Sequence, residues 1–366
     1  MSGPIYALVM AGGSGTRFWP ASRRDRPKQL LALAGGAPLL RATVDRVTPL
    51  TGADRILVAT GARLLAATRA VVPELGAEQL LVEPVPRNTA PCIGWAATRV
   101  ARRDPDAVMI ALPSDQHVRD AEAFRATLAR AVATAAGGVI TTIGVRPTRP
   151  ESGFGYVEAA DRADAAGARA VLRFVEKPPR EQAEAFVASG RVYWNAGIFV
   201  FRVSDMLEAV ARHLPALAEG LRAFDRAALD GREEQAVEEG FAALPSVSID
   251  YGVMEKLERI AVVPGDFGWS DVGSWLAAAE LASERDPHGN SAPAGSVLVA
   301  AERNHVVDAR AAGGRAGPRR LVALVGVSDL VVVDTGDALL VVHRDQAQRV
   351  RDVVRILEER GEDDLL

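Results

Sequence analysis

The densest chemical signal in this 366-residue chain lies near its start. There the apolar run IYALVMA breaks into Gly12, Gly13 and Gly15, with Arg17 following and Lys28 a short way beyond. Glycines allow positive φ and let a backbone approach a ligand with no Cβ in the way. Successive N–H groups in such a turn form a nest for anions. Arg17 adds a planar, charged donor fork and Lys28 a point charge, so the residue types suggest a grip on a phosphate chain. A dinucleotide fingerprint would need glycine where Phe18 stands, and the Walker A string G-x-x-x-x-G-K-[ST] does not occur. The glycines alone could be only a turn. The joint set Gly12, Gly13, Gly15, Thr16, Arg17, Pro27 and Lys28 would arise by chance on the order of once in 10^6 such chains.

These residues need a scaffold, and the flanking pattern supplies one. Residues 5–11, 55–59, 107–112 and 138–145 read as buried strands, apolar on both faces. Residues 38–48, 62–72, 91–103 and 121–136 show helical spacing. That alternation predicts a largely parallel sheet with helices on both faces, with ligands beyond the carboxyl ends of its strands. The glycine stretch and Asp115 both sit at such ends. Residues 150–200 (GFGYVE, LRFVEKPP, YWNAGIFVF) are broken by Gly and Pro and read as a lid or subdomain, and 204–243 read as helical. The breaker-rich run 285–295 is the expected linker. Beyond it, brief strands at 296–300, 305–309, 321–325, 330–333 and 338–342 fit a small β-solenoid or a sandwich equally well. Val350, Val353, Val354 and Leu357 mark one face of a closing helix, and the final GEDDLL reads as frayed.

Composition narrows the partners. The chain is 48% apolar and 25% charged, with no apolar run near the ~20 residues of a membrane span. A net charge of −4 with interspersed signs argues against a nucleic-acid surface, so any anion site must be local. No basic leader precedes the first strand, and a cytoplasmic location is expected. Cys92 is the only cysteine, which excludes an intramolecular disulfide, suits a reducing compartment and reads as a small buried hydrophobe.

GGSGTRFWP followed by RPKQL resembles the signature of sugar-1-phosphate nucleotidyltransferases, in the form carried by the mannose-1-phosphate guanylyltransferase branch. The likeness continues in order through EPVPRNTAP, LPSDQHV, SGFGYVE, FVEKPP, WNAGIFVF, SIDYGVMEK and FGWSDVGSW, spanning residues 5–275. It implies attack of a mannose-1-phosphate oxygen on the α-phosphorus of GTP, giving GDP-mannose and pyrophosphate. Other sugar phosphates or bases, and a non-catalytic sugar-nucleotide-binding subunit, are the alternatives. Retention of Arg17, Lys28, Asp115 and Asp271 disfavours the last. Such a reaction brings two anions together and rests on positioning and charge stabilisation.

The resemblance assigns catalysis to Arg17 and Lys28, and nucleotide binding to Gly12, Gly13, Ser14, Gly15, Thr16, Glu83, Arg87, Asn88 and Thr89. Glu83 suits guanine, whose N1–H and 2-amino donors one carboxylate can accept together. Gly155, Glu176, Lys177, Asn195, Asp250 and Lys256 fall to the sugar phosphate, and Asp115 and Asp271 to Mg²⁺, which prefers one or two carboxylates with phosphate oxygens. Gln116 separates Asp115 from His117, where relatives have His directly after this Asp, so His117 receives no role. The implied fold is α/β. It has a Rossmann-like mixed, mostly parallel sheet flanked by helices over 1–288, and a short left-handed parallel β-helix with its closing helix over 289–366. Dimerisation is implied by the family only.

Overall fold

The computed structural model describes residues 3–13, 15–33, 36–282, 284–310 and 320–366. Ser14, assigned above to the nucleotide, lies outside them. The strands are β1 Ile5–Met10, β2 Ile56–Gly61, β3 Leu80–Glu83, β4 Val108–Pro113, β5 His117–Val118, β6 Thr141–Val145, β7 Tyr156–Ala163, β8 Arg169–Val175, β9 Val192–Arg202, β10 Ala261–Gly265 and β11 Trp269–Ser270. They continue with β12 Val297–Val299, β13 His305–Asp308, β14 Ala323–Val325, β15 Leu330–Asp334 and β16 Leu339–His343. The helices are α1 Leu39–Thr51, α2 Leu65–Val71, α3 Thr89–Arg103, α4 Ala121–Ala136, α5 Arg180–Ser189, α6 Val203–His213, α7 Pro215–Leu229, α8 Glu233–Gly240, α9 Ile249–Gly252, α10 Trp275–Glu280 and α11 Val350–Arg360.

The chain forms two compact units. The first comprises 1–12, 43–114 and 118–269, and its centre is a nine-stranded sheet ordered β3-β2-β1-β4-β9-β6-β10-β8-β7. β1 pairs in parallel with β2 and β4, β2 with β3, and β6 with β10. Only β8 and β9 run against the rest, so the sheet is mixed and mostly parallel. The doubly apolar strands are explained by burial on both faces. Tyr6 and Leu8 pack in one core with Ile93 and Trp95 of α3, while Ala7 and Val9 are buried on the opposite side. α4 buries Phe124 and Leu128 and lies against β4, β6, β9 and β10.

Residues 150–200 are not a separate subdomain. β7, β8 and β9 extend this same sheet, because the 11-residue β9 is long enough to pair with β4, β6 and β7 in turn. Between Thr142 and Gly144 of β6 its register shifts, leaving a bulge with Gly197 at φ 68°.

The second unit comprises 13–42, 115–117 and 270–366, so it gathers three stretches of the chain. The physical reason is its core: Phe18, Trp19 and Leu31 pack with Val272, Trp275, Val331, Val333, Val350 and Val354. Phe18 meets Trp275 edge-on at 5.1 Å, and the Trp275 indole donates to the Trp19 carbonyl at 2.9 Å. The four tryptophans of the motifs thus wall or fill cores: Trp19, Trp194 and Trp275 are buried, and Trp269 packs against Phe154.

β12 pairs in parallel with β14, and β13 with β15. These stacked rungs favour the solenoid over the sandwich, with β16 closing antiparallel on β15. The expected linker is ordered instead. Asn290 is buried, donating to Asp286 and to the Ala301 carbonyl, while its oxygen accepts from Asn304. Asn304 in turn accepts from Leu330 N–H, so side-chain amides bind successive rungs. The C-terminus is not frayed either. The Trp19 indole donates to the Leu365 carbonyl at 2.8 Å, Arg24 N–H to that of Leu366, and Leu366 is buried.

Candidate active site

In the second unit the glycine turn runs into a single 3-10 turn, Thr16–Phe18, with Gly15 as its N-cap at φ 62°. Gly15 is required twice over. Its φ is left-handed, and a Cβ would stand 2.4 Å from the Lys28 backbone nitrogen. Gly13 and Thr16 are exposed and Arg17 is half-buried. The apposition of Gly15 and Lys28 ties the turn to the second cation. Lys28 is almost fully buried, and its ammonium donates to Asp115 Oδ2 at 2.9 Å and to the Asp271 carbonyl at 2.5 Å. Asp115 itself remains 40% exposed.

Asp271 lies at a strained turn. The next residue, Val272, has φ 44°, an outlier for a β-branched side chain, held by complete burial in the core of this unit. Gly273 then makes room. A methyl on it would lie 2.4 Å from Asp271 Oδ2 and 3.3 Å from Arg17 Nη1, so carboxylate and guanidinium border one space. Four predicted residues, Arg17, Lys28, Asp115 and Asp271, are therefore brought together with Gly15. Two carboxylates at an open rim, rather than a closed ligand cage, are the donor set that Mg²⁺ takes with phosphate oxygens.

The first unit carries the other groups in two places. Glu83, at the end of β3, is nine-tenths buried, and its Oε1 has no hydrogen-bond partner among the described residues. Burial raises its pKa to about 7 against a countering hydrogen bond from the Cys92 thiol. Cys92 is a buried free cysteine, as expected. Gly12 opens onto this carboxylate: a Cβ there would stand 3.6 Å from Glu83 Oε2. The neighbouring RNT triplet spends its side chains internally. Arg87 donates to the Ala242 carbonyl, Asn88 (φ 67°) accepts from Thr89 N–H at 2.9 Å to cap α3, and Thr89 accepts from Ile249 N–H at 2.8 Å.

The second place is acidic. Gly155 abuts Glu176 and Asn195, since a Cβ would fall 2.4 Å from Glu176 Oε2 and 3.2 Å from Asn195 Cβ. Asn195 Nδ2 donates to Asp250 Oδ1 at 2.9 Å, and Lys177 pairs with Glu176 at 3.1 Å. Burial, followed by the charge of Glu176, raises the Asp250 pKa to about 6, with Lys177 and Asn195 pulling the other way. Lys256 is exposed on the turn after α9, and among the described residues the hydrogen bonds and ion pairs of this cluster do not include it.

Residues 6–286 match the family described as nucleotidyl transferase, and residues 306–357 match the MannoseP isomerase/GMP-like beta-helix domain. The chain belongs to the nucleotidyl transferase family. It is 38% identical over 365 residues to the mannose-1-phosphate guanylyltransferase of Escherichia coli (strain K12), spanning 98% of this chain and 74% of that protein. To the xanthan biosynthesis protein XanB of Xanthomonas campestris pv. campestris it is 40% identical over 361 residues, with the same shares of each chain. A solved structure from Thermus thermophilus, described as a mannose-1-phosphate geranyltransferase, superposes with TM-score 0.84 at 39% identity, covering 98% of this chain and 100% of that one.

Two residues of this nucleotidyl transferase escaped the sequence reading. Gly273 was visible as the glycine of SDVGSW, but its necessity comes from the fold of Asp271 over it. Thr142 carries no sequence signal at all. It is an ordinary strand threonine, fully buried, whose hydroxyl reaches Asn195. No helix among the described residues is long and apolar enough to cross a membrane.

Proposed function

We propose that this chain transfers GMP from GTP to mannose-1-phosphate, releasing pyrophosphate. A phosphate oxygen of the sugar phosphate forms a bond to the α-phosphorus, and the bond from that phosphorus to the α,β-bridging oxygen breaks. The leaving pyrophosphate takes up the negative charge. No covalent enzyme intermediate is needed, and catalysis is positioning plus charge stabilisation. The observation that carries the reading is the convergence of Arg17, Lys28, Asp115 and Asp271 about the Gly15 turn. Arg17 and the glycine-turn N–H groups hold the triphosphate, and Lys28 orients the turn and Asp115 while adding charge.

Asp115 and Asp271 are the residues that would hold Mg²⁺. When bound, that ion neutralises phosphate charge that the two cations alone leave over. Glu83 accepts the two adjacent donors of guanine, which gives its orphaned oxygen a partner. On the sugar side Asn195, Asp250 and Glu176 meet hydroxyls, and Lys177 meets the phosphate.

A substrate matrix tests this. GTP, ATP, UTP, CTP and dTTP are each paired with mannose-, glucose- and fucose-1-phosphate, and pyrophosphate release is followed. GTP with mannose-1-phosphate is the expected best pair. Another best pair replaces the assignment, and no release from any pair removes it.

A further inference from the structure

The Asn195 amide is a one-way device, and its polarity is set from beneath. Gly197 N–H stands 3.0 Å from one end of the amide and, being a backbone donor, can only face oxygen. The Asp250 carboxylate stands 2.9 Å from the other end and, when ionised, can only face nitrogen. Both fixed partners give the same orientation, so the Thr142 hydroxyl, 2.8 Å from Oδ1, must be a donor to it. The Ile198 carbonyl, at 3.2 Å, is the more distant acceptor for that hydroxyl. Oδ1 is thereby saturated with two donors, while Nδ2 keeps one N–H beyond the one it gives Asp250. The bulge in β9 makes this possible, because it turns Gly197 N–H back onto its own Asn195 side chain.

We propose that Thr142 is a positioning residue for the sugar subsite, locking Asn195 so that it offers its ligand a hydrogen-bond donor and holds the Asp250 carboxylate in place. The group it meets is an acceptor, a sugar hydroxyl oxygen. This rests on the assignment of Asn195 and Asp250 to the sugar phosphate. Thr142 touches no ligand. It acts at the buried end of the amide, where its hydroxyl supplies the second donor beside Gly197 N–H.

The test uses the full chain with Thr142→Val, which removes the hydroxyl at nearly constant volume, and Thr142→Ser, which keeps it and removes a methyl. With Val, KM for the sugar phosphate should rise about five- to tenfold, the worth of one lost buried hydrogen bond, with KM for the nucleotide unchanged. Ser should restore most of that loss. Equal rises in both KM values, or failure of Ser to restore sugar-phosphate binding, would mean a merely structural role and overturn the proposal, as would an unchanged KM in a folded Val variant. The outcome is separable from the overall assignment. If the wild-type chain prefers another sugar phosphate or nucleotide, the same KM split is read with that pair, and only the named substrates fall.

Discussion

The two compact units handle charge in opposite ways. In the second, cations and carboxylates are matched at an open rim: Lys28 is buried but bonded to Asp115 and to the Asp271 carbonyl, while Asp115 stays 40% exposed. In the first, carboxylates are taken out of water with few compensating charges. Glu83 is pushed to about 7 and Asp250 to about 6. The contrast follows from the ligands each would take. Polyphosphate brings its own high charge and is best met by fixed counter-charges, whereas neutral hydroxyls and a base edge are selected by buried acceptors that hydrogen-bond poorly to anything else.

Breaking the matched side should cost most. Chelation with EDTA should abolish pyrophosphate release, and added Mg²⁺ should return it; undiminished turnover in metal-free buffer would remove the two-aspartate site. Arg17→Ala or Asp271→Asn should each lower kcat about 100-fold or more, as deletion of one transition-state stabiliser commonly does. A purified variant with near-normal kcat would exclude that residue. Next come the glycines that allow the groups to meet. Gly273→Ala should cost about tenfold or more in kcat, since its methyl must displace Asp271 or Arg17. Gly15→Ala should act similarly and also lower Tm, because it adds left-handed strain to a backbone clash. An alanine at 273 with wild-type kinetics would show that the carboxylate is not held where it matters.

How far these features could be read beforehand differs between the units for the same reason. The strands and helices of the sheet were legible because residues such as Tyr6–Val9 are buried on both faces, and burial imposes a pattern that sequence records. The matched-charge residues were legible because a glycine turn with Arg17 and Lys28 is a rare combination. What stayed hidden depends on long-range closure. Nothing in GEDDLL announces that Trp19 will hold its end, and nothing in the breakers of 285–295 announces that Asn290 will bind two rungs. Thr142 and the internal use of Arg87, Asn88 and Thr89 are of that kind, since a hydrogen bond between distant residues leaves no periodicity.

The buried-carboxylate side should reveal itself through pH. With a folded pKa of about 7, Glu83 is protonated in much of the free enzyme below neutrality and can no longer accept both donors of guanine. kcat/KM for GTP should therefore fall about tenfold per unit below pH 7. Glu83→Gln should show a lower plateau and lose this component, leaving the nucleotide's own ionisation as the internal control. Stability moves in the matching direction. A carboxyl raised in the folded state favours folding below its unfolded pKa and loses that contribution as pH rises through about 7. Glu83→Gln should accordingly gain more Tm at pH 8 than at pH 5, and equal shifts at both would mean that the carboxylate is solvated.

The smallest effect sharpens the comparison from within the first unit, where Arg46 is buried with no carboxylate paired to it among the described residues. Arg46 on α1 is 7% exposed, its guanidinium sits 5.5 Å over the Phe124 ring, and burial alone lowers its pKa to about 10. No carboxylate contributes to that shift, whereas the Lys28 ammonium of the second unit donates to Asp115. A buried charge offset only by a ring face costs stability, and an apolar side chain of similar length recovers it while keeping the packing on Phe124. Arg46→Met should raise stability by about 1 kcal/mol, or Tm by roughly 2 °C, with kcat and both KM values unchanged. A fall in Tm would show that the guanidinium is better satisfied than its surroundings suggest. A change in either KM would make Arg46 part of the functional machinery, and its burial would then serve a ligand.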